Sequence, residues 1–279
     1  KAGKSTFASP LWVGFEGQTL PASLSRWLAR GEVSGVVLFS RNIGSPAQVG
    51  GLCREIRSAA GRGNPLPLIA VDQEGGRVAR LIGPPFTRFP PARACSLFCC
   101  RNESVAEGLG AATAAELRAV GIDVNFAPVL DVDSNPANPV IGDRAFSEDP
   151  RTAAALGIAF AIGSLSRGIL PVGKHFPGHG DTSADSHEEL PVVRAGRQTL
   201  LRRELLPFRR AARAGIPALM TAHVMYPALD RAMPATLSPK ILHDLLRLRL
   251  RFRGAVISDA LEMKAIADRY GVGEAAVSP

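Results

Sequence analysis

Ile169-Leu-Pro-Val-Gly-Lys-His-Phe-Pro-Gly-His-Gly-Asp181 is the stretch that decides the fold. Gly168 ends the segment before it, a short apolar run follows, and that run gives way at once to Lys174 and His175. The same arrangement recurs along the chain. Further apolar runs span Leu11 to Phe15, Val33 to Phe39, Leu66 to Val71, Ile122 to Leu130, Ile216 to Met220 and Ala255 to Ile257. They are continuous rather than alternating, as strands of a parallel sheet buried on both faces should be.

Amphipathic segments with recognisable ends lie between the runs. Ser45-Pro46 opens a helix that puts Val49, Leu52, Cys53 and Ile56 on one face, and Gly61 closes it. Asn102 caps a helix towards Gly121, Pro150 starts one ending near Gly168, and Ser238-Pro239 starts one ending before Gly254. Alternating βα units fit a doubly wound sheet or a closed barrel. The polar residues choose between them: Asp72, Asp131, Lys174 with His175, His223 and Asp259 each follow a different apolar run. A barrel gathers all its strand exits at one mouth, whereas an open sheet spreads most of them away from its crevice. The expected fold is therefore α/β, a (β/α)8 TIM-type barrel. Only seven runs are found, so the last βα unit is expected to be lacking and residues 1–279 to form one catalytic barrel domain, incomplete at its C-terminal end. Strands one and seven would then have unpaired edges and expose core side chains.

Bulk properties narrow the class. At 279 residues with 46% hydrophobic and 21% charged content, the chain can bury a large core. No apolar run approaches the roughly 18 residues of a membrane span, and the first ten residues lack the apolar centre of a secretory signal. A bacterial cytoplasmic protein is expected, with a leader removed before Lys1 as the alternative. The formal charge of +8 comes from scattered arginines; pairs such as Arg202-Arg203 and Arg209-Arg210 read as solvated helix faces, and no nucleic-acid recognition motif accompanies them. Cys53, Cys95, Cys99 and Cys100 are too few and too uneven for a disulfide scaffold, and reduced thiols are expected.

The densest chemical signal is Lys174 to His187, which holds three of the five histidines in a polar, Gly-containing stretch after a strand. Asp185 and His187 are two apart and face the same way if the segment is extended. A carboxylate on one imidazole nitrogen fixes the tautomer and makes the other a proton carrier near neutral pH. The second signal, Val256-Ile-Ser-Asp-Ala-Leu-Glu262, puts Asp259 at a strand exit; taken alone, Ser258 or Asp259 reads as the cap of a helix around Met263 to Arg269. The third is Val71-Asp-Gln-Glu-Gly-Gly-Arg77, which alone could be a turn.

With Gly142-Asp-Arg-Ala-Phe-Ser-Glu-Asp-Pro150, these motifs resemble, in order, those of the β-N-acetylglucosaminidases (β-N-acetylhexosaminidases) of glycoside hydrolase family 3. The resemblance runs from Trp12 to about Val277, and Lys-His-Phe-Pro-Gly-His-Gly-Asp followed by Asp-Ser-His separates this subgroup from the family's β-glucosidases. It implies a retaining glycosidase with Asp259 as nucleophile, His187 as general acid/base and Asp185 as its orienting partner. Asp72, Arg80, Arg144, Lys174 and His175 would hold the sugar. His179 and Asp181 would shape the loop, His223 would be a hydrogen-bonded rim residue or a substrate contact, and His243 neither. The implied substrates are terminal β-linked GlcNAc residues, including muropeptides of peptidoglycan recycling, with neither cofactor nor metal required.

Two other readings fit the same residues. One is a metal-dependent barrel hydrolase built on His175-x3-His179 with Asp181, Asp185, His187 and His223, against which Pro177 and Gly178 prevent the helical turn that aligns an i, i+4 pair. The other is an inactive fragment. Oligomeric state is not legible.

Overall fold

A computed structural model describes residues 9–98, 102–186 and 188–277. Cys99, Cys100 and His187 lie outside the described residues. Seven parallel strands follow one another in sequence order: β1 (Trp12–Val13), β2 (Gly35–Leu38), β3 (Leu68–Val71), β4 (Val124–Asn125), β5 (Leu170–Phe176), β6 (Ala218–Thr221) and β7 (Ala255–Ser258). Each pairs only with its neighbours in the chain, the arrangement of a βα barrel, and among the described residues no pairing joins β7 to β1. The seven strands form a curled, partial barrel. Trp12, Val13, Val256 and Ile257 on the two outer strands are only half-buried, as the unpaired edges predict.

The helices are α1 (Ala22–Arg30), α2 (Pro46–Ser58), α3 (Ala92–Phe98), α4 (Glu103–Ala119), α5 (Pro150–Ser166), α6 (Arg197–Arg202), α7 (Leu205–Arg213), α8 (Lys264–Tyr270) and α9 (Val272–Val277). Their starts follow from local chemistry. The Ser45 hydroxyl accepts the Gln48 N–H, the Asn102 side chain accepts that of Ser104, and Asp149 accepts that of Thr152 just before Pro150. The segment after Pro239 is a wide helix, Lys240–Arg249, which ends with the Leu250 N–H bonded five residues back to Leu245. None of the described helices is long and apolar enough to cross a membrane.

Alternation along the strands sorts side chains into an inner and an outer set. Ile69 and Val71 of β3 pack with Leu24, Leu28, Val49, Leu52 and Ile56 from α1 and α2, whereas Ala70 packs inside with Val124, Phe126, Val172, Ala218 and Met220, against Val37 and Ile257. Each large apolar side chain so buried contributes about 1.5–3 kcal/mol. The same parity, continued two residues past the inner set, directs Asp72, Lys174 and Asp259 inward at the C-terminal mouth.

Helices α4 and α5 approach unusually closely. A Cβ on Gly110 would stand 2.0 Å from the Phe160 carbonyl oxygen, and one on Gly163 2.0 Å from that of Glu107, so both positions require glycine. Two sequence readings need correction. The helix near the C-terminal end starts at Lys264 after Met263, so neither Ser258 nor Asp259 caps it. Arg202, Arg209 and Arg210 are exposed, but Arg203 is drawn inward by Asp181 and Glu204 rather than lying on a solvated face.

Candidate active site

The stretch from Asp72 to Leu81 is pinned by amide side chains. Asn125 exchanges two hydrogen bonds with the Gln73 backbone, and the Gln73 side chain accepts the N–H groups of Arg80 and Leu81 while donating to the Leu81 carbonyl. This holds Asp72, Glu74 and Arg80 at the exit of β3. Lys174 reaches them from β5, with its ammonium 2.7 Å from Asp72 and 2.6 Å from Glu74. Arg144 grips both oxygens of Glu74 at 2.9 Å, and Arg80 contacts Asp72 at 3.4 Å. The result is one continuous cluster of two carboxylates and three cations, in which Lys174 and Glu74 are almost wholly buried. The Arg80 Nε is buried with no protein partner.

Electrostatics follow from that packing. Burial would raise the Glu74 carboxyl, but the charges of Lys174 and Arg144 and their hydrogen bonds prevail and hold it down at about 2. Burial would lower Lys174, and Asp72 and Glu74 outweigh it and raise the ammonium above its ordinary value.

His175 sits beside this cluster, and the Lys174–His175 peptide is cis. Asp131, fully buried after β4, takes the His175 ring Nδ1 at 2.7 Å, the His175 N–H, and the His179 N–H at 2.7 Å. Burial pushes Asp131 up, but His175 and His179 pull it below the usual carboxylate range. His179 is held by Thr182 and Ser186, and burial drives its imidazole down to about 4, so it is neutral at pH 7. Asn138 donates to the His179 and Gly180 carbonyls, and Asp181 pairs with Arg203. His179 and Asp181 thus make contacts that shape the loop.

Asp259 follows β7, half-buried, with one oxygen accepting the Ala260 N–H at 2.8 Å. Burial favours its protonated form; His175, His223, the Ala260 N–H and Lys174 together outweigh this, so the carboxyl lies below its ordinary value and is ionised at neutral pH. His223 bridges Thr236 at 2.8 Å and the Ala260 carbonyl at 3.0 Å, and burial lowers its imidazole. It is a hydrogen-bonded rim residue that borders Asp259. His243 lies on the outside of the wide helix beside Asp244.

The described members of the expected set, Asp72, Arg80, Arg144, Lys174, His175 and Asp259, therefore meet at one mouth. Asp185 lies farther along the same segment, and its carbonyl accepts the N–H groups of Glu188 and Glu189. The expected partner of Asp185, His187, is outside the described residues. The sequence alone points to no role for Glu74 and shows Asp131 only as a strand exit; both are carboxylates that fix the cations and imidazoles around them. The signal for Glu74 was its place two residues after Asp72. Among the described residues, no three His, Cys, Asp or Glu side chains are grouped as a metal-ligand set.

Comparisons with known proteins bear on the family and the fold. The profile of the glycosyl hydrolase family 3 N terminal domain matches residues 15–278. A β-hexosaminidase of Nitrosomonas eutropha is 45% identical over 269 residues, which cover 95% of this chain and 75% of that protein. The solved glycoside hydrolase family 3 β-N-acetylglucosaminidase of a Paenibacillus species superposes with a TM-score of 0.91 at 41% identity, over 96% of this chain and 51% of that one. NagZ from Neisseria gonorrhoeae, solved in complex with N-trifluoroacetyl-D-glucosamine, superposes with a TM-score of 0.86 at 35% identity, over 97% of this chain and 79% of that one. This chain thus spans about half of the Paenibacillus enzyme and three quarters of the Nitrosomonas one. A barrel whose strand exits gather that charge cluster, and a match running almost from end to end, have one common explanation: the chain belongs to glycoside hydrolase family 3, in its β-N-acetylhexosaminidase subgroup.

Proposed function

We propose that residues 1–279 act as one catalytic barrel unit that releases terminal β-linked N-acetylglucosamine with retention of configuration. The observation that carries this is Asp259, kept ionised at a strand exit and facing the Lys174–His175 cluster. Asp259 attacks the anomeric carbon while His187 protonates the departing oxygen, forming a covalent glycosyl-enzyme. Neutral His187 then draws a proton from the incoming water, and a second displacement returns the β-anomer. Asp185 orients His187. An imidazole in this role keeps a second negative charge away from the nucleophile.

Asp72, Arg80, Arg144, Lys174 and His175 hold the sugar. Cations and carboxylates braced against one another present fixed donors and acceptors to hydroxyl groups without reorganising as substrate binds. The unpartnered Arg80 Nε is a donor left available in that cluster. Muropeptide fragments of peptidoglycan in the bacterial cytoplasm are the proposed natural substrates, in keeping with the glucosamine derivative bound to the Neisseria relative.

The test is release of p-nitrophenol from its β-GlcNAc glycoside and from its β-glucoside, by the wild type and by Asp259→Asn. Strong preference for the GlcNAc glycoside and loss of turnover in the variant are expected. Equal cleavage of both sugars, or an undiminished variant, would overturn the assignment.

A further inference from the structure

Glu204 is a wholly buried carboxylate that the proposed chemistry does not use. It stands at the break between α6 and α7, where it caps nothing. One oxygen, Oε1, accepts the Ser134 hydroxyl at 2.8 Å and the Arg203 Nε at 2.6 Å. The other, Oε2, is buried with no partner. What covers it is the backbone just past His175. Gly178 has φ +129°, and a Cβ there would stand 2.7 Å from the Glu204 Cβ and 3.2 Å from Oε2. Only a glycine lets the chain lie flat on that carboxyl.

The neighbouring contacts belong to the same stretch. Ser134, which binds Oε1, also borders Gly180, whose Cβ would meet the Val132 carbonyl at 1.6 Å and the Ser134 hydroxyl at 3.4 Å. Arg203, the other partner of Oε1, places its Nη2 2.7 Å from Asp181. Tyr226 donates to the Gly178 carbonyl at 2.7 Å, and His179 donates its N–H to Asp131. The backbone from Pro177 to Asp181 is therefore seated on Glu204 and its two partners, immediately after the residues proposed to hold the sugar.

We propose that Glu204 is a positioning residue for this segment, whose neutral form lets Gly178 to Asp181 seat over it and whose ionised form favours lifting of that backbone to admit water. The charged and titratable groups around it are Arg203 on its own turn, Asp131 beyond β4, Asp181 in the segment itself and Tyr226 beyond β6. Burial raises the Glu204 carboxyl to about 7; Ser134 and Arg203 oppose this, and the Asp131 charge adds to it. A carboxylate with one bare oxygen in a dry site gains most from water, and lifting the backbone at Gly178 is the route by which water reaches Oε2. Since the seated state binds the proton more tightly, seating is fully favoured below the carboxyl's ordinary 4.5, weakens as pH rises from there to about 7, and weakens no further above it.

The inference rests on the proposed role of residues 174–187, so one arm of the test avoids turnover. Amide hydrogen exchange of Gly178 to Asp181 is compared between wild type and Glu204→Gln at each pH, which cancels the intrinsic pH dependence of exchange. The wild-type to variant ratio is expected to rise by up to about tenfold per pH unit between the carboxyl's ordinary 4.5 and about 7, and then to level off. A flat ratio overturns the proposal. In the second arm, kcat/KM is measured on a 2,4-dinitrophenyl β-GlcNAc glycoside, whose leaving group needs no proton and so removes His187 from the first step. The wild type should fall relative to Glu204→Gln as pH rises towards about 7, and the ratio of the two should level off above it. An identical pH dependence in both overturns the proposal.

Should Glu204→Gln fail to fold, Ser134→Ala serves. It removes a hydrogen bond that favours the ionised carboxylate and must move the upper end of this pH dependence to higher pH; an unmoved upper end overturns the proposal. Absence of wild-type cleavage would overturn the glycosidase reading alone, leaving the exchange arm to decide on Glu204.

Discussion

Glu74→Gln tests whether the cluster at the barrel mouth is held by charge. The substitution keeps the shape of the side chain but removes the negative charge that Lys174 and Arg144 share. The drop of the Glu74 carboxyl from 4.5 to about 2 corresponds to about 3 kcal/mol of preference for the ionised form. Breaking a buried pair by removing one partner costs about 3–5 kcal/mol, in agreement with that figure. With Glu74 at 5% side-chain exposure, solvent offers little relief. For a chain of this size, 3 kcal/mol should lower Tm by roughly 6 °C or more at neutral pH. Because the folded value is depressed, this stabilisation is complete above the ordinary 4.5 and disappears as pH falls towards 2. Differential scanning calorimetry of both proteins from neutral to acid pH therefore reads the effect twice. Tm falls in the variant at neutral pH, and the two curves converge in acid. A variant melting within about 1 °C of wild type at neutral pH would refute the reasoning, because the buried cations would then not depend on this carboxylate.

Other outcomes follow from neighbouring contacts. Asp131→Asn should reduce kcat/KM by about ten- to a hundredfold, since it unfastens the His175 ring and the His179 N–H together; steady-state kinetics with near-ultraviolet circular dichroism checks this. Burial of His179 in neutral form means that the unfolded chain takes up its proton first, so stability should decline by up to about 3 kcal/mol as pH falls from 6.5 to about 4. His179→Gln should lessen that slope in urea titrations at stepped pH. Gly163→Ala drives a methyl against the Glu107 carbonyl and should cost about 3 kcal/mol or prevent folding, read by thermal melting.

Much of the fold was legible because its signals are local. Continuous apolar runs mark strands covered on both faces, and Ser45, Asn102 and Pro150 mark helix starts by chemistry confined to a single turn. The inward aim of Asp72, Lys174 and Asp259 follows from two-residue parity once the runs are placed. Pairings across long stretches of chain were not legible. Glu74 owes its role to Arg144, 70 residues away, and Lys174 meets Asp72 across 102 residues. Arg203 beside Arg202 reads as a helix face, yet the helix breaks at that point and turns Arg203 and Glu204 inward. Asp259, which taken alone reads as a cap, is not one because the chain runs on to Met263 before the helix begins, and this leaves the carboxylate available to the mouth.

The touching backbones of α4 and α5 have a consequence for how such an enzyme can change. These two helices feed β4 and β5, the strands that deliver Asp131 and His175 to their 2.7 Å contact. Gly110 and Gly163 act as a gauge block: with no side chain between the rods, their separation is set by peptide thickness alone. Residues around the mouth are thus free to vary with the sugar's neighbours, whereas any drift at these two glycines would be felt as a detuned imidazole at the strand exits.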